Sequence, residues 1–281
     1  MLIWLNGELI EEDCARVRIS DRGFLYGDGL FETIRSYQGH LFRFDWHWNR
    51  LQAGAAFLRL TPPMNQKEAL QRTLELLQKN QLTEAVVRCQ LTRGPGARGD
   101  SVQGANQPTF LITCHRLPDK CNQPAAGWRL AVSPHRVPSF NPLRRFKTCN
   151  RLTHILARME AEQGGADEAI LLNEKDQVVE AAGANLFWVD QSVVYTPAPS
   201  TGLLPGITRA VMMELCDRLE IECVEMAAKI PDLLAAEAVF LTQSVLELMN
   251  VTAIGHTAIT LHPLVDLLRR EYRETVMRET R

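Results

Sequence analysis

The sequence predicts a mixed α/β (α+β) protein in two domains. Three observations carry this. Strand-like and helix-like patterns interleave in both halves of the chain, which points to a mixed class rather than an all-α or all-β one. A polar stretch with Pro118 and Pro124 reads as a linker. And 281 residues, 46% of them hydrophobic, are enough for two moderate cores. The expected organisation is a smaller N-terminal α/β domain over 1–115, a linker over 116–126, and a larger C-terminal domain over 127–281.

In chain order, Leu2 to Leu5, Asn6-Gly7 and Glu8 to Ile10 read as a β-hairpin, because Asn-Gly accepts the positive φ angles of a type I′ turn. Glycine punctuates 22–29. Leu30 to Tyr37 reads as a strand that Gln38-Gly39 turns back into His40-Leu41-Phe42. A helix starts near Asp45. The next opens on a capping box, Asn65 to Glu68, and presents Leu70, Leu74 and Leu77 on one face. Ala85 to Arg93 and Thr109 to Cys114 read as strands. The glycine-rich stretch between them is a long loop, of the kind that often carries function. Beyond the linker come a strand, a loop and a helix with Leu152, Ile155, Leu156 and Met159 at helical spacing and Asn150 as its N-cap. Short strands follow at 168–172, 177–180 and 185–189. A helix begins near Ile207, Val239 to Leu241 is a strand, and an amphipathic helix covers about 261–277.

Composition narrows the function. Net charge is −2, so no basic field exists to hold nucleic acid or an anionic membrane. The seven cysteines are scattered, odd in number and without a C-x-x-C pair, which argues against a disulfide framework or a zinc site. The seven histidines share no metal-ligand spacing, so no metal is expected. No signal peptide or membrane span is read, and a reducing cytoplasm is the expected compartment.

Single residues carry weak signals. Lys147 sits on an extended segment just before a helix, after Pro138 and Pro142; alone it reads as a solvated lysine. Glu180 ends a strand ahead of Ala181-Ala182-Gly183-Ala184, small residues that let a flat ligand approach backbone. Gly206-Ile207-Thr208 leads into a helix whose N–H groups could hold phosphate or merely be capped. Thr242 and Ser244 offer hydroxyls at a strand end. Arg50 reads either as a phosphate fork or as a surface ion pair, and Arg98 either traps a carboxylate or solubilises its loop. Together, a lysine, a carboxylate beside small residues and several phosphate donors are what pyridoxal phosphate requires.

Over nearly its whole length the chain resembles the fold-type IV pyridoxal-phosphate enzymes, the class IV aminotransferase family. The resemblance rests on Asp21-Arg22-Gly23, Gly27-Asp28-Gly29-Leu30-Phe31-Glu32, Lys147-x-x-Asn150, Gly165 to Ala169, Val179-Glu180, Asn185-Leu186-Phe187, Gly206-Ile207-Thr208-Arg209 and Val239 to Thr242. It implies a D-amino-acid aminotransferase-like fold of two domains with pyridoxal 5′-phosphate in the interdomain cleft, as a homodimer. It implies Lys147 as the Schiff-base lysine and Glu180 as partner of the ring nitrogen. Arg50, Ile207, Thr208 and Ser244 would hold the phosphate, and Tyr26, Phe31 and Arg98 would line the substrate side. Asn141-Pro142-Leu143, Asn150-Arg151-Leu152, Ala184 to Trp188 and the loop Arg93 to Gly99 resemble the aminodeoxychorismate lyases of folate biosynthesis. Asp100 stands where D-amino-acid transaminases have histidine and lyases often tyrosine. Arg151 stands where branched-chain transaminases have tyrosine, whereas Glu32 looks more like the transaminase pattern. The expected activity is therefore a lyase making 4-aminobenzoate and pyruvate. The alternatives are a transaminase of D-amino or branched-chain amino acids using 2-oxoglutarate or pyruvate and, more remotely, a non-catalytic binding protein.

Overall fold

The computed structural model describes residues 1–118, 121 and 127–280. The chain forms two compact units. The first takes Met1–Asp119, Phe146–Asn150 and Val276–Arg281; the second takes Lys120–Arg145 and Arg151–Thr275. Of the linker expected over 116–126, residues 119–120 and 122–126 lie outside the described residues.

The first unit begins with the Asn-Gly hairpin, β1 (Leu2–Leu5) and β2 (Glu8–Glu11), in which Leu5 faces Glu8. Asn6 at φ 51° and Gly7 at φ 107° supply the left-handed turn. Then come α1 (Arg22–Tyr26), β3 (Gly29–Tyr37), β4 (His40–Leu41), α2 (Phe44–Leu58), α3 (Gln66–Lys79), β5 (Ala85–Thr92) and β6 (Thr109–Arg116). The sheet runs β2-β1-β6-β5-β3-β4, antiparallel throughout. Its core joins Trp48 and Leu51 of α2 and Leu76 and Leu77 of α3 to Leu30, Ile34, Val87, Leu91, Phe110 and Ile112. Gly54 permits this approach: a Cβ there would lie 2.9 Å from a Leu30 methyl.

The capping box of α3 forms as expected, Asn65 to Glu68 N and Glu68 back to Asn65 N. Of the leucines read on one face, Leu77 lies in the core and Leu70 packs against it. Ala69, Thr73, Leu76 and Leu77 face the core, while Leu74 is exposed. The buried Thr73 hydroxyl is satisfied internally, donating to Ala69 O at 2.7 Å.

The second unit contains β7 (Trp128–Val137), α4 (Leu152–Gln163), β8 (Glu168–Asn173), β9 (Val178–Ala181), β10 (Asn185–Asp190), β11 (Val193–Pro197), α5 (Ile207–Arg218), β12 (Cys223–Met226), α6 (Ile230–Ala235), β13 (Ala238–Gln243), β14 (Glu247–Ile254), β15 (Thr257–Ala258) and α7 (Pro263–Glu279) up to Thr275, the rest of that helix counting with the first unit. The sheet runs β12-β11-β10-β13-β14-β7-β8-β9, with β15 paired to β14. Pairing is mixed: β7 lies parallel to β8 and β14, and most other pairs are antiparallel. The central strands are covered on both faces and read as continuous apolar runs. Phe187 stacks on Phe240, centroids 5.1 Å apart.

One expectation about α4 is corrected. Its N-cap is Arg151, without a side-chain cap bond, whereas the Asn150 amide donates to Gly27 O at 3.2 Å. The stripe Leu152, Ile155, Leu156 and Met159 faces outward; the helix packs through His154, Ala157 and Ala161 instead. Spacing alone marks an apolar face without saying what covers it.

Candidate active site

In the first unit the site is organised along β3. The segment 147–149 lies antiparallel to the start of that strand. Phe31 N donates to Lys147 O and Cys149 N donates to Gly29 O, both at 2.9 Å. This register fixes Lys147, whose Nζ stands 4.9 Å from the Phe31 ring centroid. The lysine is half-buried rather than a solvated surface residue.

Alternation puts Glu32, the next residue, on the opposite face, against α2. Glu32 is held there by a bidentate pair with Arg50, Nε to Oε1 at 2.8 Å and Nη2 to Oε2 at 2.7 Å. His47 Nδ1 adds a contact to Oε2 at 2.7 Å. Burial pushes the Glu32 pKa up, but the charge and hydrogen bonds of Arg50 and His47 win and hold it at about 2. Burial pulls the His47 pKa down more than Glu32 lifts it. Arg50 is thus a buried fork with a fixed orientation, not a surface ion pair. His47 was missed, although His47 and Arg50 at i, i+3 share a helix face.

Tyr26 and the loop of Arg98 come together: the Tyr26 hydroxyl accepts from Gly99 N at 2.8 Å. The loop is pinned, contrary to the flexibility its glycines suggest. Buried Arg22 donates through Nη1 to the carbonyls of Ala97, Gly99 and Ser101. Asp28 braces Arg22 Nε at 3.1 Å and Arg93 Nε at 2.7 Å. Arg98 itself is exposed.

In the second unit, Glu180 lies buried in β9 rather than at a solvated strand end. Arg144 Nη2 donates to Oε1 at 2.7 Å, and Leu204 N donates to Oε2 at 3.0 Å. His154 Nε2 stands 3.5 Å from Oε1, close enough to feel its charge, yet neither ring nitrogen makes a hydrogen bond. Burial raises the Glu180 pKa, and His154 and Arg144 outweigh it, so the group stays below the usual carboxylate range. Neither Arg144 nor His154 was read from the sequence. Nothing in their spacing links them to Glu180.

The phosphate candidates of this unit gather where β10, β13 and α5 meet. Asn185 pairs with Thr242 across β10 and β13. A Cβ on Gly206 would fall 1.9 Å from Asn185 Oδ1, so only glycine fits as the N-cap of α5. The helix start has no side-chain cap, and Ile207 and Thr208 are buried within it. The Thr242 hydroxyl is buried without a hydrogen-bond partner. Ser244 follows two residues later, half-exposed in the turn after β13.

A family model described as amino-transferase class IV matches residues 29–254. A Methanocaldococcus jannaschii protein provisionally named branched-chain-amino-acid aminotransferase is 36% identical, covering 92% of this chain and 90% of its own. The D-alanine aminotransferase of Bacillus licheniformis is 30% identical over 100% and 99%. The aminodeoxychorismate lyase of Bacillus subtilis is 32% identical over 90% and 86%. Among solved structures, a T.th. branched-chain amino acid aminotransferase complexed with N-(5′-phosphopyridoxyl)-L-glutamate is 29% identical. It superposes with a TM-score of 0.91 over 100% of this chain and 95% of that one.

Proposed function

Because the chain belongs to the class IV aminotransferase family, we propose that it is a lyase converting 4-amino-4-deoxychorismate into 4-aminobenzoate and pyruvate. The family depends on pyridoxal 5′-phosphate, which is the chain's cofactor. The donor set fits that group. A helix start without a side-chain cap and the unpartnered Thr242 hydroxyl suit a phosphate. A buried anionic Glu180 suits a protonated ring nitrogen. When bound, the cofactor supplies an electron sink for the bond broken at the substrate's amine-bearing carbon.

Each residue then has a role. Lys147 holds the cofactor covalently and, once released, takes the proton from the amine-bearing carbon on Nζ. Glu180 keeps the ring nitrogen protonated. Arg50, Ile207, Thr208 and Ser244 hold the phosphate, with Glu32 fixing the Arg50 fork. Tyr26, Phe31 and Arg98 line the substrate side. Two copies of the chain assemble through apolar surface such as the outward stripe of α4, where Leu152 is 74% exposed. The odd, scattered cysteines without a C-x-x-C pair support a cytoplasmic setting.

The observation that carries the lyase reading is the Asn150-Arg151 pair. Asn150 anchors to Gly27 O, and Arg151 Nη2 donates to Ala182 O at 2.7 Å, beside Glu180 in sequence. The motif is lyase-like, where branched-chain transaminases carry tyrosine. The second reading, a D-amino or branched-chain transaminase, is favoured by Glu32 and by relatives bearing those names.

The deciding experiment supplies 4-amino-4-deoxychorismate without any oxo-acid. A lyase releases pyruvate and 4-aminobenzoate over many turnovers. A transaminase stops after one turnover per site until 2-oxoglutarate or pyruvate is added, and that outcome would replace the lyase reading. Borohydride should fix the cofactor on Lys147, and Lys147→Ala should lose ~10²–10⁴-fold activity or more. Labelling of another lysine would displace Lys147 from its role.

A further inference from the structure

Two cysteines of the second unit face each other away from the residues assigned to cofactor and substrate. Cys216 lies in the last turn of α5, and Cys223 opens β12, the edge strand of the second sheet. The chain doubles back between them: Leu219 N donates to Leu215 O, closing the helix, and Ile221 N donates to Cys216 O at 2.9 Å.

A neighbouring contact sets the register of helix on strand. Arg209 and Cys216 are seven positions apart, about two turns along one face of α5. Cys223 and Glu225 are two apart and so share one side of β12. Arg209 Nη2 pairs with Glu225 Oε1. The same two faces meet again at the cysteines, where the Cys216 thiol donates to the Cys223 sulfur.

The pair is asymmetric. Cys216 is fully buried, and its hydrogen bond to Cys223, together with burial, raises its pKa. Cys223 is half-buried at the sheet edge. The hydrogen bond it accepts lowers its pKa, and the positive charge of Arg209 adds to that against burial and Glu225. The thiolate is the form that attacks an oxidant, so Cys223 is the reactive member and Cys216 the one that resolves it. Burial instead pushes Cys89 up to about 12 and Cys149 up to about 11, which keeps those thiols protonated at neutral pH.

We propose that Cys216 and Cys223 form a redox modification site, a dithiol that hydrogen peroxide converts into a disulfide and a thiol reductant restores. The Cys223 thiolate attacks one peroxide oxygen: an S–O bond forms, the O–O bond breaks, and the departing hydroxide takes up a proton as water. The Cys216 sulfur then attacks the sulfenic sulfur of Cys223. The S–S bond forms, the S–O bond breaks, and the second hydroxide leaves as water with the Cys216 proton. Each sulfur gives up one electron and the peroxide takes both. The bond would tie the end of α5 to the edge strand, α5 being the helix whose start carries Ile207 and Thr208. A transient disulfide of this kind suits a reducing compartment, where disulfides are mostly catalytic or redox-sensing. The site stands whether the chain is a lyase or a transaminase.

The test treats holoenzyme with hydrogen peroxide, unfolds it, alkylates the remaining thiols and maps the peptides by mass spectrometry without reductant. Two of the seven cysteines should be lost to alkylation. The peptides of Cys216 and Cys223 should run as one species lacking a pair of hydrogens, and dithiothreitol should return both thiols. In Cys216→Ser, Cys223 should stop at the sulfenic acid, which dimedone captures; in Cys223→Ser, Cys216 should stay alkylatable after peroxide. Oxidation of exposed Cys14 while Cys216 and Cys223 both remain alkylatable overturns the proposal. So does oxidation of Cys223 to sulfinic acid with Cys216 still free. Should either variant fail to fold, the wild-type peptide map decides alone.

Discussion

Two buried glutamates, one in each unit, have the same kinds of neighbour in different geometries. Glu32 has Arg50 and His47; Glu180 has Arg144 and His154. At Glu32 the arginine grips both oxygens and the histidine closes on one of them at 2.7 Å. Three of roughly four acceptor positions are used. At Glu180 the arginine takes one oxygen, a backbone N–H takes the other, and the histidine stays at 3.5 Å. Glu180 therefore keeps more room for another donor than Glu32 does. The first geometry suits a group that positions its arginine, the second a group that meets a ligand.

The comparison breaks first on activity. Glu180→Gln should cut turnover by ~10²–10⁴-fold, the range seen when a group that handles transition-state charge or protons is lost. Cofactor should still bind covalently, as borohydride trapping would show. Full turnover in this variant would mean that Glu180 is as structural as Glu32.

Glu32→Gln should act chiefly on stability. Removing one partner from a buried ion pair costs about 3–5 kcal/mol. Arg50 would keep at most one of its two bonds to this side chain, so cofactor affinity should fall as well. Urea unfolding measures the loss. A variant as stable as wild type would show the Arg50 fork to be held by something else.

Acid should reproduce part of that loss in the wild type. The Glu32 pKa in the folded chain is about 2, below its ordinary value of 4.5. A depressed carboxylate stabilises the fold above the unfolded value and loses that effect as pH falls through the folded one. The contribution is roughly 3 kcal/mol, complete above about pH 5 and gone near pH 2. His47 adds in the same direction, since its pKa is lowered and the unfolded chain takes up its proton first. Urea midpoints of wild type and Glu32→Gln should therefore converge between pH 5 and 2. A constant gap would mean Glu32 titrates normally.

These partnerships show where the sequence was legible. Local rules read the Asn6-Gly7 hairpin, the Asn65 capping box and the strand carrying Glu180, because each depends on residues a few positions apart. Lys147, Glu180 and the start of α5 were each weak signals in the sequence, and their expected roles came from a motif resemblance. Arg144 and His154 lie 36 and 26 positions before Glu180, and only the fold of the second unit brings them to it. The stripe on α4 was visible as a stripe, but its outward direction was not. Periodicity does not distinguish a core face from a face left for another copy.

The smallest effect separates the two histidines. His47→Phe removes a 2.7 Å contact to an ionised, fully enclosed carboxylate. A hydrogen bond to a charged group is worth about 1.5–3 kcal/mol, so that variant should unfold measurably earlier in urea. His154→Phe removes a ring whose two nitrogens are buried and make no hydrogen bond. Burial lowers its pKa, which weakens the positive charge it can offer Glu180. Replacing an unsatisfied polar ring with an apolar one of similar shape is nearly neutral or stabilising. The change should stay within about 1 kcal/mol of wild type. If His154→Phe instead cost as much as His47→Phe, His154 would be holding Glu180 as firmly as His47 holds Glu32. The contrast between a closed carboxylate and an open one would then fail at its weakest contact.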